Sequence, residues 1–220
     1  PGPMLAASDT WMVTFKGTGG HGALPERGTD PSTPAASFIL AIQSIIGRNV
    51  PSSQTAVLSV GHIAAGTYGS PNVIPSDVLV RGTARSYSPA VRDLMERRMG
   101  EIAKSTAEAW GCTAEYHYQR RYPPLVNAKE QTAIAVKAAR ATAGIDKVND
   151  KMTPMTGAED FAFMLEKKPG AYIFIGNGGD AEGGCAHVHT PVYDFNDKAL
   201  LTGAAYWLNL VKQELGDDAA

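Results

Sequence analysis

The strongest constraint on this chain is a change of hydrophobic period, repeated in a set order between Trp11 and about Arg120. Trp11-Met12-Val13-Thr14-Phe15 alternates, as a half-buried strand does. A glycine-rich stretch, Lys16 to Pro25, follows it, and Asp30-Pro31 then offers an N-cap and a first helical residue. From Ser32 to Gly47 the period is helical, with Ala35, Phe38, Ile39, Ile42, Ile45 and Ile46 on one stripe. Thr55–Ile63 and Val78–Tyr87 read as strands, parted by Gly69-Ser70-Pro71-Asn72 and Pro75-Ser76-Asp77. Ser88-Pro89 opens a second helix running to Gly111, and Thr113–Tyr118 closes the series as a strand. The order βαββαβ implies a ferredoxin-like unit, a four-stranded antiparallel sheet with both helices on one face. The other face is left for solvent or a partner.

The pattern breaks at Arg121-Tyr122-Pro123-Pro124, which predicts one domain over 8–120 and a second segment over 121–220. In the second segment we expect helices at Lys129–Ala143, Glu159–Glu166 and about Asp197–Leu215, with one buried strand, Ala171–Ile175. Helices around a single apolar strand suit an α/β domain, but one strand makes no sheet. The expected fold is therefore α/β, an α+β ferredoxin-like unit followed by an incomplete α/β segment.

At 220 residues, 44% apolar and 19% charged, the composition is that of a globular chain. A formal charge of −2 argues against nucleic acid or an anionic membrane as partner. Two cysteines, Cys112 and Cys185, are too few for a disulfide framework and fit a reducing, cytoplasmic compartment. No stretch has the length of a bilayer span or the pattern of a signal peptide. The start at Pro1-Gly2-Pro3, without an initiator methionine, leads us to expect a processed chain or a piece of a longer one.

Several residues could carry chemistry. His21 stands among glycines on a strand-to-helix connection, where it is either a solvated loop residue or a group that touches a docked ligand. If Cys185-Ala186-His187-Val188-His189 is extended, Cys185, His187 and His189 share one face and suit a metal; a single histidine in a shared site is the alternative. Glu159 and Asp160 open a helix, where capping accounts for them, and Gly157 before them would let a ligand approach the backbone. Asn72 is a further polar candidate. Arg85, in an otherwise apolar strand, calls for a carboxylate or a ligand anion.

Taken in order, Gly19-Gly20-His21-Gly22-Ala23-Leu24-Pro25, Asp30-Pro31, Asn72-Val73-Ile74-Pro75, Gly82-Thr83-Ala84-Arg85, Tyr122-Pro123-Pro124, Gly157-Ala158-Glu159-Asp160 and His189-Thr190-Pro191-Val192-Tyr193-Asp194 form one series. The series resembles the metal-dependent aminoacylase and carboxypeptidase family, in the branch of hippurate hydrolases and indole-acetyl-amino-acid hydrolases. The resemblance covers nearly the whole chain. It implies a catalytic α/β domain with two divalent ions, zinc or manganese, interrupted by a lid domain through which members dimerise. Residues 8–120 would be the lid, and 121–220 the C-terminal part of the catalytic domain. The N-terminal part, with most metal ligands and the general-base glutamate, would be absent. In such enzymes metal-activated water attacks an amide carbonyl.

By the same resemblance, His21 would stabilise the oxyanion in a neighbouring subunit, Asn72 would contact substrate and Arg85 would grip its carboxylate. His189 would be the one metal ligand supplied here, while His187 falls two residues too early. Gly157 and Glu159 would line the substrate pocket. Glu26 departs from the pattern, since relatives commonly carry histidine there. We therefore expect the C-terminal portion of an amidohydrolase of N-acyl amino acids, homodimeric through the lid. Alone, it should be inactive and bind metal poorly. The competing expectation is a non-catalytic dimerisation or binding module.

Overall fold

The computed structural model describes residues 1–178, 186 and 188–216. Its elements in chain order are β1 (Gly2–Leu5), β2 (Ala7–Lys16), β3 (Gly20–His21), α1 (Ser32–Ser44), β4 (Ala56–Ala65), β5 (Val73–Ile74) and β6 (Asp77–Ser86). There follow α2 (Pro89–Ala109), β7 (Thr113–Tyr122), β8 (Leu125–Asn127), α3 (Lys129–Ala143), α4 (Phe161–Leu165) and α5 (Lys198–Leu215). Two compact units result, one of Pro3–Leu125 with Pro154–Met164, the other of Pro1–Gly2, Val126–Thr153 and Leu165–Ala220.

The first unit is built on β2, whose residues alternate between buried and half-buried along nearly its whole length. It pairs antiparallel with β6 on one side and β7 on the other, and β4 joins the far side of β6. The sheet order β4-β6-β2-β7 is that of the expected ferredoxin-like unit. Trp11, Val13 and Phe15 point to the helix face and pack with Phe38 and Ile42 of α1 and Met95 and Met99 of α2. Phe38 meets Trp11 edge-on at 6.0 Å between ring centroids, and Phe15 at 5.4 Å. Gly82, opposite Trp11 in β6, carries no side chain because a Cβ there would collide with the indole and with the Ser59 carbonyl.

The other sheet face is open. On β6 it presents Arg81, Thr83 and Arg85, while Val78, Val80 and Ala84 are buried beneath. Arg85 is therefore half-exposed on the open face, which corrects its reading as a charge embedded in apolar surroundings. It donates to the Thr83 hydroxyl and, at 2.9 Å, to the Ala84 carbonyl.

The segment Pro154–Met164 packs with the first unit. The Ala6 N–H reaches the carbonyls of Met155 and Gly157, at 3.2 and 2.9 Å, and the Tyr122 and Phe163 rings lie 6.1 Å apart. The helix expected over Glu159–Glu166 is shorter, Phe161–Leu165, since Glu159 and Asp160 sit before its first turn. In the second unit α3 packs on α5. No strand forms over Ala171–Ile175, contrary to expectation. A ladder needs a neighbouring strand, and here a side chain replaces one: Asn127 accepts from the Tyr172 N–H and donates to its carbonyl, both at 2.8 Å. Among the described residues no helix is long and apolar enough to cross a membrane.

Candidate functional site

The connection from β2 to α1 is closed at its base by two threonines. Thr29 Oγ1 accepts from the Thr18 N–H at 2.9 Å, and Thr18 Oγ1 accepts from the Thr29 N–H at 2.8 Å. Gly19 lies between them at φ 62°, a left-handed conformation that glycine adopts without strain, and a Cβ would sit 2.6 Å from the Ile74 carbonyl oxygen. Above this base the loop pairs with β5, with Gly20 opposite Ile74 and His21 opposite Val73. The Gly22 N–H donates to the Asn72 carbonyl at 2.7 Å. Asp30 anchors the far end by accepting from the Ser32 N–H at 2.8 Å, which starts α1.

His21 is thus held on a pinned loop, and its own side chain is oriented. The Ala23 N–H donates to His21 Nδ1 at 3.0 Å, so Nδ1 is the acceptor and the proton resides on Nε2. An exposed imidazole in this tautomer offers a neutral N–H donor to whatever docks beside it. His21 and Asn72 line one open cleft of about 910 Å³, together with Thr18, Gly66 and Pro75. The sequence did not single out Thr18 and Thr29, although the two lie eleven residues apart on either side of the glycine run. Their partnership is legible only once the loop closes.

The remaining candidates lie elsewhere. Arg85 is on the open sheet face and does not line the His21 cleft. Gly157 is tied through its carbonyl to Ala6, and Glu159 Oε1 accepts from the Asp160 N–H at 3.0 Å. His189, in the second unit, is exposed and has φ 68°, alone among the described non-glycine residues in a left-handed conformation. Such a conformation is uncommon in a side-chain-bearing residue, although histidine adopts it more readily than most. Beyond it, Asn177 brackets Asn196 and Asp194, accepting from the Asn196 N–H at 2.8 Å and donating to the Asp194 carbonyl at 3.1 Å. Cys185 and His187 lie outside the described residues, and with them the proposed three-residue metal face.

Residues 16–213 match the family model for peptidase family M20/M25/M40. The chain belongs to this family. The M20 likeness extends to an N-acetyl-L-cysteine deacetylase of Bacillus subtilis, 34% identical over 207 residues, covering 94% of this chain and 47% of that protein. It extends also to the hippurate hydrolase of Campylobacter jejuni, 32% identical over 214 residues, covering 97% and 54%. Among solved structures, a dinuclear metal-binding M20 peptidase of Bacillus subtilis superposes with a TM-score of 0.71 at 26% identity, covering 95% of this chain and 50% of that one. This M20 chain spans about half the length of the relatives it matches. Among its described residues no three His, Cys, Asp or Glu side chains gather as a metal site needs. The described residues do not by themselves fit a dinuclear centre.

Proposed function

We propose that this chain carries the lid and the C-terminal catalytic segment of a metal-dependent amidohydrolase that cleaves the amide bond of N-acyl amino acids. Residues 8–120 act as the lid and dimerise, and 121–220 contribute His189 to a metal centre completed by residues from outside this chain. The observation that carries the reading is His21, an exposed imidazole lining a cleft, with Nδ1 satisfied by the Ala23 N–H so that Nε2 is left as the donor. A preset donor of this kind stabilises negative charge as it develops on a carbonyl oxygen, without reorganising. Asn72, tied through its backbone to the same loop, positions the substrate beside it. Arg85 supplies a guanidinium for the carboxylate of the N-acyl amino acid substrate, a charge-assisted contact made before and during reaction. Gly157 and Glu159 border the substrate.

The test is hydrolysis of hippurate and other N-acyl amino acids by the protein in the full form its gene encodes, supplied with zinc or manganese. His21→Ala should lower kcat on the order of 10²-fold or more, with a much smaller change in KM, because the contact belongs to the transition state. Arg85→Ala should raise KM for an N-acyl amino acid while sparing its amide. A His21 variant with normal kcat, or no hydrolysis by the full protein, overturns the reading in favour of a binding module.

A further inference from the structure

The open face of the sheet carries two adjacent cross-strand rows. One is Ser59, Thr83, Thr10 and Gln119; the next is His62, Arg81, Met12 and His117. They line a groove of about 390 Å³. Thr10 donates to Gln119 at 3.3 Å, and Thr83 donates to the Asp9 carbonyl at 2.9 Å while accepting from Arg85. Thr10 and Thr83 thus already have partners, and the contact to Thr83 brings the Arg85 guanidinium beside the row.

The cationic row owes its existence to an irregularity. Regular alternation after Ser59 would send Gly61 to the open face and His62 to the helix side. The register of β4 against β6 shifts between Val60 and His62, so that His62 falls opposite Arg81 instead. Bulges re-aim side chains in this way and are frequent beside functional sites. At Gly61 an added Cβ would meet nothing within 4 Å, so the glycine is not needed there for close packing. The product of the bulge is a histidine and an arginine face to face, roughly 5 Å apart at the backbone. His117 closes the row on β7, and all three side chains are exposed.

We propose that this groove is an anion site, in which Arg81 and His62 grip a compact oxyanion such as a carboxylate, phosphate or sulfate, and His117 adds charge at the far end. Other charges on the face do not neutralise it. On β2 and β7, Lys16 and Glu115 are paired with each other at 2.6 Å. On β6, Asp77 lies opposite Lys16, and Arg85 adds a further positive charge. Arg121 stands by the bulge at the end of β7, and β4 contributes His62 alone. The site stands independently of the catalytic reading.

The probe is sulfate, which stays doubly charged across the range, titrated at low ionic strength into the histidine-labelled chain and followed by nitrogen NMR of the imidazoles. At about pH 5.5 and at about pH 8 the His62 and His117 signals should move saturably as sulfate is added. Arg81→Ala should weaken binding about tenfold or more, and His62→Gln should weaken it by a smaller factor. Malonate in parallel distinguishes a carboxylate ligand from a tetrahedral one, by which binds more tightly. Shifts confined to His21 or His189, or equal binding by wild type and Arg81→Ala with both folded by circular dichroism, overturn the proposal.

Discussion

Arg92 holds Asp9 through two parallel hydrogen bonds, Nε to Oδ2 at 2.8 Å and Nη2 to Oδ1 at 2.5 Å, beneath the sheet where Asp9 is 1% exposed. The same carboxylate accepts from the Tyr118 hydroxyl at 2.8 Å and from the Arg121 N–H at 3.1 Å. One buried group therefore joins α2, β2 and β7, at the point where the β2–β7 register shifts between Ser8 and Asp9.

Removing either partner strands a buried charge. Asp9→Ala or Arg92→Ala should destabilise the chain by about 3–5 kcal/mol, whereas replacing both by apolar residues of similar size should cost far less. Urea unfolding of the two single variants and the double variant checks this. Equal costs for single and double variants would mean that the pair acts only as packing.

Tyr118 makes the network sensitive to alkali. Burial, and then the neighbouring Asp9 carboxylate, raise its hydroxyl well above the ordinary tyrosine value of 10.0. In the unfolded chain the phenol loses its proton near that ordinary value, so above it the native state binds more protons than the unfolded one. The stability from the protonated hydroxyl is complete below about pH 10 and falls as pH rises, by up to about 1.4 kcal/mol per pH unit. Tyr118→Phe should lose about 1.5–3 kcal/mol near neutrality with its hydrogen bond to Asp9, yet show a shallower alkaline decline. Denaturant midpoints at about pH 8 and about pH 11 give both numbers. An unchanged alkaline slope would remove Tyr118 as the cause.

The ferredoxin-like unit was legible because each of its elements announces itself by period: Trp11, Val13 and Phe15 at spacing two, Phe38 and Ile42 at spacing four. What was not legible depends on partners distant in sequence. Asp9 and Arg92 are separated by 83 positions, and neither is unusual in its local setting. The bulge that turns His62 outward exists only relative to β6. Arg85 was misjudged for a different reason: Val78, Val80 and Ala84 made its strand look apolar throughout, but they occupy one parity and Arg81, Thr83 and Arg85 the other. His21 was visible as a lone histidine among glycines, while its tautomer, set by the Ala23 N–H, was not.

Two glycines of the sheet should respond oppositely to alanine. At Gly82 a Cβ would collide with the Trp11 indole and with the Ser59 carbonyl, forcing both the core and the β4–β6 ladder to move. We expect a loss of about 1–3 kcal/mol or more for Gly82→Ala, and almost none for Gly61→Ala, where the space is open. Thermal unfolding of the pair is the measurement. A tolerated Gly82→Ala would show that Trp11 can swing aside at little cost.

The last expectation concerns β4, which lies at one edge of the sheet with no strand beyond it among the described residues. An edge exposes a row of unpaired N–H and C=O groups, and natural sheets protect such rows with charge, proline or a covering element. From Ala56 to Ala65 this strand has neither proline nor an acidic or lysine or arginine side chain, and Ile63 is 57% exposed. The opposite edge, β7, is guarded by Glu115, Arg120 and Arg121. A second copy pairing along β4 would satisfy the open row and cover Ile63, and a two-fold contact of that kind is isologous. Lysine at one exposed position then faces its own copy or a near neighbour across the axis, and like charges oppose pairing. Ile63→Lys should therefore shift a dimer of this chain towards monomer while leaving its helical signal unchanged, because the side chain is outside the core. Sedimentation velocity at several concentrations decides the matter: a dimer unaffected by Ile63→Lys would place the contact elsewhere, and a monomeric wild type would remove it.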